Sequence, residues 1–158
     1  MFPLSDVIPS RTTPFVTIAF ILLTALAFAI ELALDDAALW RVVRTYGVVP
    51  GDLSWWAPVT APFLHTGWLH VLVNMVYLWI FGASLEDRLG HVRFLIFFLA
   101  CGAIAALGHA AMSPHTHAPL IGASGAVAGV MGAYFVFYPR SRVLTGVFLV
   151  VIVDVVEV

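Results

Sequence analysis

Two short stretches of this sequence carry residue types that could do covalent chemistry. The first is Gly122-Ala123-Ser124-Gly125. Glycines beside a serine leave its hydroxyl unshielded and let a second group approach the backbone closely, so Ser124 is a candidate nucleophile. A helix beginning there would also present free first-turn amide groups, which favour a developing negative charge. The second stretch runs from His65 through His70 to Asn74. His70 and Asn74 are four residues apart, which stacks them one turn apart on one face of a helix. They are expected to offer imidazole and carboxamide N–H groups to the same point, which is what an oxyanion hole requires.

Each stretch also has a plainer reading. Gly125 and Gly129 form a GxxxG pattern with Gly132 on the next turn, and small residues so spaced usually make a helix packing surface. A histidine and an asparagine at membrane depth often serve an interhelical hydrogen bond. Their occurrence together, in the order donor helix then serine helix and at one side of the membrane, is what favours chemistry. A third polar cluster, Gly82 to Gly90, contains Glu86 and Arg88. It is expected at the opposite end, as a turn and a hydrogen-bonding lock. His91 falls on that same side, while His109, His115 and His117 are expected to be solvated interfacial residues.

The elements that must position these groups follow from composition. Of 158 residues, 62% are apolar and 10% charged, against roughly 45–50% and about 25% in a soluble domain. This excludes an ordinary soluble protein and a disordered chain. Cys101 is the only cysteine, so a disulfide scaffold is excluded, and a net charge of −2 without a basic block leaves no nucleic-acid footprint. Four apolar runs, 15–34, 68–85, 94–112 and 120–138, are each long enough to cross a hydrocarbon core as a helix. A fifth, 143–153, is short, rich in β-branched residues and followed by Asp154 and Glu157, and reads as interfacial or incomplete. The expected fold is all-α: one polytopic transmembrane helix bundle over residues 1–158, incomplete at its C-terminal side.

The chain has no lysine, so arginine alone carries its positive charge. With the N-terminus in the cytoplasm, Arg11, Arg88, Arg93, Arg140 and Arg142 lie inside and only Arg41 and Arg44 outside, the bias expected of membrane proteins. The first span reads as a retained helix, since its apolar run exceeds the usual signal-peptide core and one arginine makes no basic leader. The outward connector 35–67 holds Trp40, Tyr46, Trp55, Trp56 and Phe63 with Pro50, Pro58 and Pro62. Its aromatics suit the headgroup region and its prolines break any long helix. A pore or transporter is disfavoured, because the polar residues cluster at one side and form no path across.

In these ordered motifs the sequence resembles the rhomboid family of intramembrane serine proteases, over about 46–142. The resemblance rests on His65, His70 and Asn74, then Gly82 and Glu86, then Gly122-Ala123-Ser124-Gly125. It implies that Ser124 is the nucleophile, that His70, Asn74 and the Ser124 backbone N–H bind the oxyanion, and that His65, Gly82 and Glu86 are structural. It also implies cleavage of transmembrane-helix substrates near the outer membrane face, without metal or cofactor. The implied setting is a multi-pass protein of a bacterial inner membrane, in contact with the bilayer and with no nucleic-acid partner.

Two features depart from the family pattern. A tryptophan-arginine pair commonly marks its first outward connector, but here Trp40-Arg41 comes early and Trp55-Trp56 is followed by Ala57-Pro58. The family's base is a histidine two helices after the serine, and no histidine follows His117. Three expectations compete. The sequence is part of a longer protease and inactive alone, the reading favoured by the intact serine and donor residues. Alternatively it is a non-catalytic relative that binds transmembrane clients, or His109, His115 or His117 supplies the base locally.

Overall fold

The computed structural model describes residues 12–141, together with the backbone of three short strands at 2–6, 143–149 and 152–157. Arg11 and Arg142, two of the five arginines assigned to the cytoplasmic side, lie outside the described residues. Helix α1 is Phe15–Ala33, α2 is Asp36–Tyr46 and α3 is Ala57–Thr60, the last followed by a 3-10 turn at Ala61–Phe63. Helix α4, Trp68–Tyr77, runs through a π turn at Leu78–Gly82 into α5, Ala83–Leu89. Helices α6, His91–Met112, and α7, Ser124–Phe137, complete the bundle. Among the described residues, three segments are apolar and long enough to span a membrane: α1 with 19 residues, Trp68–Leu89 with 22 and α6 with 22. The chain is an integral membrane protein built as a helical bundle.

The expected second span therefore runs on past Leu85 to Leu89. A π turn widens the helix by one residue per turn and shifts the face that follows. Gly82 ends that turn against Thr17 of α1. A Cβ there would stand 2.9 Å from Leu78 Cδ1 and 3.2 Å from Thr17 Oγ1, so a side chain would push α1 away.

The fourth span departs further from expectation. Residues 120–123 are not helical, because their backbone groups are bonded elsewhere. Leu120 exchanges both hydrogen bonds with Val48 at 2.8 and 2.9 Å, and Gly122 N–H donates to Ala61 O at 2.9 Å. Gly122 then turns the chain with φ +111°, a left-handed backbone that favours glycine. The helix starts only at Ser124, and its 14 residues span roughly 21 Å. The delayed start places Ser124 at the mouth of the bundle.

The two polar ends of α1 are both tied by carboxylates. At its N-terminus the preceding Pro14 supplies no cap, and the fully buried Glu86 of α5 takes that role from across the bundle. It accepts Val16 N–H at 2.9 Å, Thr17 N–H at 2.8 Å and the Thr17 hydroxyl at 2.8 Å, and pairs with His91 Nδ1 at 2.6 Å. Arg88 does not join this lock; its guanidinium lies 5.8 Å over the Phe137 ring at the end of α7.

Core composition differs between the two ends. Around Glu86 the buried residues are large, among them Phe81, Leu85, Phe94, Phe98 and Tyr134. Around Ser124 they are small: Val48, Ala57, Ala61, Ala106 and Ala110, with Leu120 against them. Helices α6 and α7 touch through Gly125 and Gly129, whose added Cβ atoms would fall 2.5 Å from Ala105 Cβ and from Cys101 Sγ. Gly132 has open space instead, so the packing stripe ends one turn earlier than its spacing suggests.

The fifth apolar run, read from the sequence as interfacial or incomplete, has an extended backbone where it is described. It forms β2, Val143–Leu149, antiparallel to β3, Ile152–Glu157, and β2 also pairs with β1, Phe2–Asp6. Its density of valine and isoleucine suits an extended backbone better than a helical one.

Candidate functional site

His65 is the hub of the polar network at the small-residue end. It lies in the connector between α1 and α4, is buried, and is fixed at both ring nitrogens. Nδ1 stands 3.4 Å from Phe63 O, an atom that only accepts, so Nδ1 carries the proton. Nε2 is then free to accept, and it receives Asn74 Nδ2–H at 3.3 Å and Ala123 N–H at 3.5 Å. Burial, with the His70 ring beside it, pushes the His65 pKa down to about 4. The ring is therefore neutral near pH 7 and keeps the tautomer this network needs.

This depression has a consequence for stability. Between about pH 4 and the ordinary histidine value near 6.5, the unfolded chain binds a proton that the folded chain refuses, so stability falls as pH drops through that window. The thermal midpoint in detergent is expected to decline from pH 6.5 to 4 more steeply for the wild type than for His65→Gln. Equal slopes for the two proteins would contradict a buried neutral His65.

The connector carrying His65 is held by a residue that sequence reasoning missed. Glu31, buried in the last turn of α1, accepts the His65 backbone N–H with both carboxylate oxygens, at 3.2 and 3.3 Å. The signal for it was available: a lone acid near the end of an apolar span is costly unless it has a partner.

His70 is brought against the serine turn. Its Nδ1 lies 3.2 Å from Thr66 Oγ1, and its ring meets that of His65 edge to face with centroids 4.8 Å apart. The other edge of the ring fills the space that Gly122 leaves open: a Cβ on Gly122 would stand 2.6 Å from His70 Cε1 and 2.7 Å from Nε2. Gly122 is thus needed twice, for its positive φ and for the approach of the imidazole.

Ser124 occupies the first position of α7 and is exposed. No hydrogen bond to its hydroxyl is formed among the described residues, and the first amides of its helix have no intrahelical acceptor. Beside it lies a cavity of about 200 Å3 whose wall includes Gly102, Ala105, His109, Gly122, Ser124 and Gly125. His109 stands one turn beyond Ala105 on the α6 face that touches α7. Of the other histidines, His117 lies against Gly51 and His91 is at the Glu86 end, while His115 is exposed in the connector before α7.

Asn74 is placed differently from expectation. Its two amide hydrogens are directed to His65 Nε2 and, at 3.0 Å, to His70 O of its own helix. The nearer acceptors win, so the carboxamide and the His70 imidazole do not converge on one point here. Asn74 reaches toward Ser124 only by releasing one of these bonds. The structure brings together Ser124, Gly122, Gly125 and His70, with His65 and Asn74 directly behind them. Gly82 and Glu86 lie at the far end of the bundle.

The Rhomboid domain family matches residues 52–158 of this chain. The rhomboid-type protein YdcA of Bacillus subtilis is 33% identical over 125 residues, covering 78% of this chain and 62% of its own length. Rhomboid protease GluP of the same organism is 38% identical over 80 residues, covering 51% and 15%. Rhomboid protein 1 of Saccharomyces cerevisiae, a mitochondrial protein, is 30% identical over 115 residues, covering 69% and 33%. The chain thus spans less than two thirds of the length of each of these relatives.

Proposed function

The chain belongs to the rhomboid family, and we propose that its site is that of an intramembrane serine endopeptidase. Ser124 is the nucleophile, and His70 with the Ser124 backbone N–H stabilises the oxyanion. Asn74 joins them when its carboxamide turns from His65. The observation that carries this reading is the seating of the His70 ring in the space left by Gly122, two residues before Ser124. It supports reading the imidazole as the N–H donor for the exposed serine that opens α7, inside a wall of small residues.

The chemistry requires each of these parts. Serine is a weak nucleophile until a base takes its proton, and the tetrahedral intermediate needs donors already in place. The family resemblance assigns the base to a histidine two helices after that of the serine. His109 shares a cavity wall with Ser124 and is the local candidate for the same role.

A substrate helix keeps its backbone hydrogen bonds in lipid, so it must unwind before a peptide carbonyl can meet Ser124. Substrates with Gly, Ser or Pro near the cut are therefore expected to be cleaved. In proteoliposomes, the full-length protein should cut a single-span substrate with such residues at its outer end and leave a polyleucine span intact. Running His109→Ala beside it assigns the base: unchanged cleavage places it elsewhere, and lost cleavage places it at His109. Equal cutting of both spans would contradict the unwinding requirement.

One observation favours a second reading, the holding of client helices without cleavage. The Ser124 hydroxyl has no hydrogen-bond partner among the described residues. On that reading client capture survives Ser124→Ala and is lost in Gly129→Leu, which would drive α7 off Cys101.

A further inference from the structure

Helix α2 lies on the outside of the molecule at the end of the bundle that holds Ser124, and none of its residues is buried. Leu39, Val42 and Val43 rest partly covered, whereas Arg41, Arg44 and Thr45 are exposed. A helix with one apolar and one cationic face, set where the spans end, has the character of an element lying in the membrane interface. Its last turn is tied to the connector that follows: Trp56 Nε1–H donates to Thr45 O at 3.1 Å, and the Thr60 hydroxyl donates to Tyr46 O at 2.7 Å.

These ties shape a cleft of about 530 Å3 walled by Trp40, Arg41, Arg44, Asp52, Ser54 and Trp56. Both arginines of the outward connector face it, three residues apart on one helix. Among the described residues no carboxylate oxygen lies within 4.0 Å of either guanidinium. Among the described residues Asp52 is the only acid in the wall, so with Arg41 and Arg44 it gives the cleft a formal charge of +1. Trp40 is 54% exposed at its rim.

We propose that this cleft binds the phosphodiester of a membrane phospholipid head group. Two guanidiniums present planar pairs of N–H donors that match phosphate oxygens. One phosphodiester neutralises the net charge, Ser54 can accept a hydrogen bond from a hydroxyl beyond the phosphate, and the Asp52 carboxylate opposes the anion and so weakens its binding. The bilayer is the source because of the setting. The cleft opens from an interfacial helix between two indoles, side chains that favour the headgroup level, and phosphates are densest there. The same helix walls a second cavity with His65, Thr66 and Ile121 through Leu39, Trp40 and Val43. A bound lipid would therefore fix α2 beside the catalytic site.

The test measures the thermal midpoint of the full-length protein in neutral detergent with added dioleoylphosphatidylglycerol, dioleoylglycerol or inorganic phosphate. The phospholipid is expected to raise the midpoint by about 5 °C at saturation, and the other two to leave it unchanged. The Arg41→Gln/Arg44→Gln double variant should keep its lipid-free midpoint and lose this rise. An equal rise with phosphate would assign the cleft to a free anion, and an equal rise with dioleoylglycerol would assign the effect to acyl chains; either overturns the proposal. So does a full rise in the double variant. Asp52→Asn provides a second check that does not depend on the arginine variant folding. It should tighten phosphatidylglycerol binding several-fold, and unchanged or weaker binding would count against the cleft.

Discussion

Ser124→Ala in the full-length protein is expected to lower the cleavage rate of a transmembrane substrate by on the order of 10⁶-fold, the scale on which a serine protease loses its nucleophile. The substitution removes one exposed oxygen that has no hydrogen-bond partner among the described residues. Folding should therefore be untouched, with a stability change within about 0.5 kcal/mol. Turnover and the thermal midpoint measured on the same preparation separate chemistry from folding. A variant that keeps its midpoint and still cleaves within tenfold of wild type would remove Ser124 from the mechanism.

The second large effect concerns the donor side. His70→Ala is expected to lower kcat by about 10²–10³-fold, the cost of one oxyanion donor, with little change in KM. Gly122→Ala should do nearly the same without removing any functional group. Its new methyl would occupy the position 2.6 to 2.7 Å from the His70 ring, so the imidazole must leave, and alanine tolerates φ +111° poorly. The two changes act on one contact, so the double variant should be no slower than the slower single variant. A Gly122→Ala enzyme at full speed, or losses that multiply, would show that the His70 position seen here is not the working one.

Much of this arrangement was legible in the sequence, for identifiable reasons. Long apolar runs locate α1, the Trp68–Leu89 segment and α6, because a backbone in lipid has few alternatives to a helix. The spacing from His65 to His70 to Asn74, and the glycines around Ser124, single out the candidate site because polar groups and small residues at membrane depth need a reason to be there. What escaped was set by contacts distant in sequence. The start of α7 moved to Ser124 because Leu120 bonds Val48 and Gly122 bonds Ala61, pairings between residues about 60 or more positions apart. The Asn74 amide is engaged by His65 Nε2 and by His70 O, and the first of these contacts, with a ring in a separate connector, is one no helical wheel shows.

Glu31 and Glu86 teach the same lesson in opposite ways. Glu86 was visible as a lock, but its partner, the uncapped N-terminus of α1, could be found only in three dimensions. Glu31 stands in the sequence as the lone acid of an apolar span, and its partner is one backbone N–H of the connector that holds His65. The valine-rich run after Arg142 follows neither case. Its composition is compatible with a short helix or a strand, and only pairing with its neighbours decides between them.

The central claim, an activated Ser124 beside its oxyanion donors, is tested most directly by covalent capture. The full-length protein in liposomes is treated with a serine-directed fluorophosphonate, digested and mapped by mass spectrometry. A single adduct on Ser124, absent from Ser124→Ala and strongly slowed in His70→Ala, is the predicted result. A protein that cleaves its substrate yet carries the adduct on another residue, or labels at Ser124 equally fast without His70, would contradict the account.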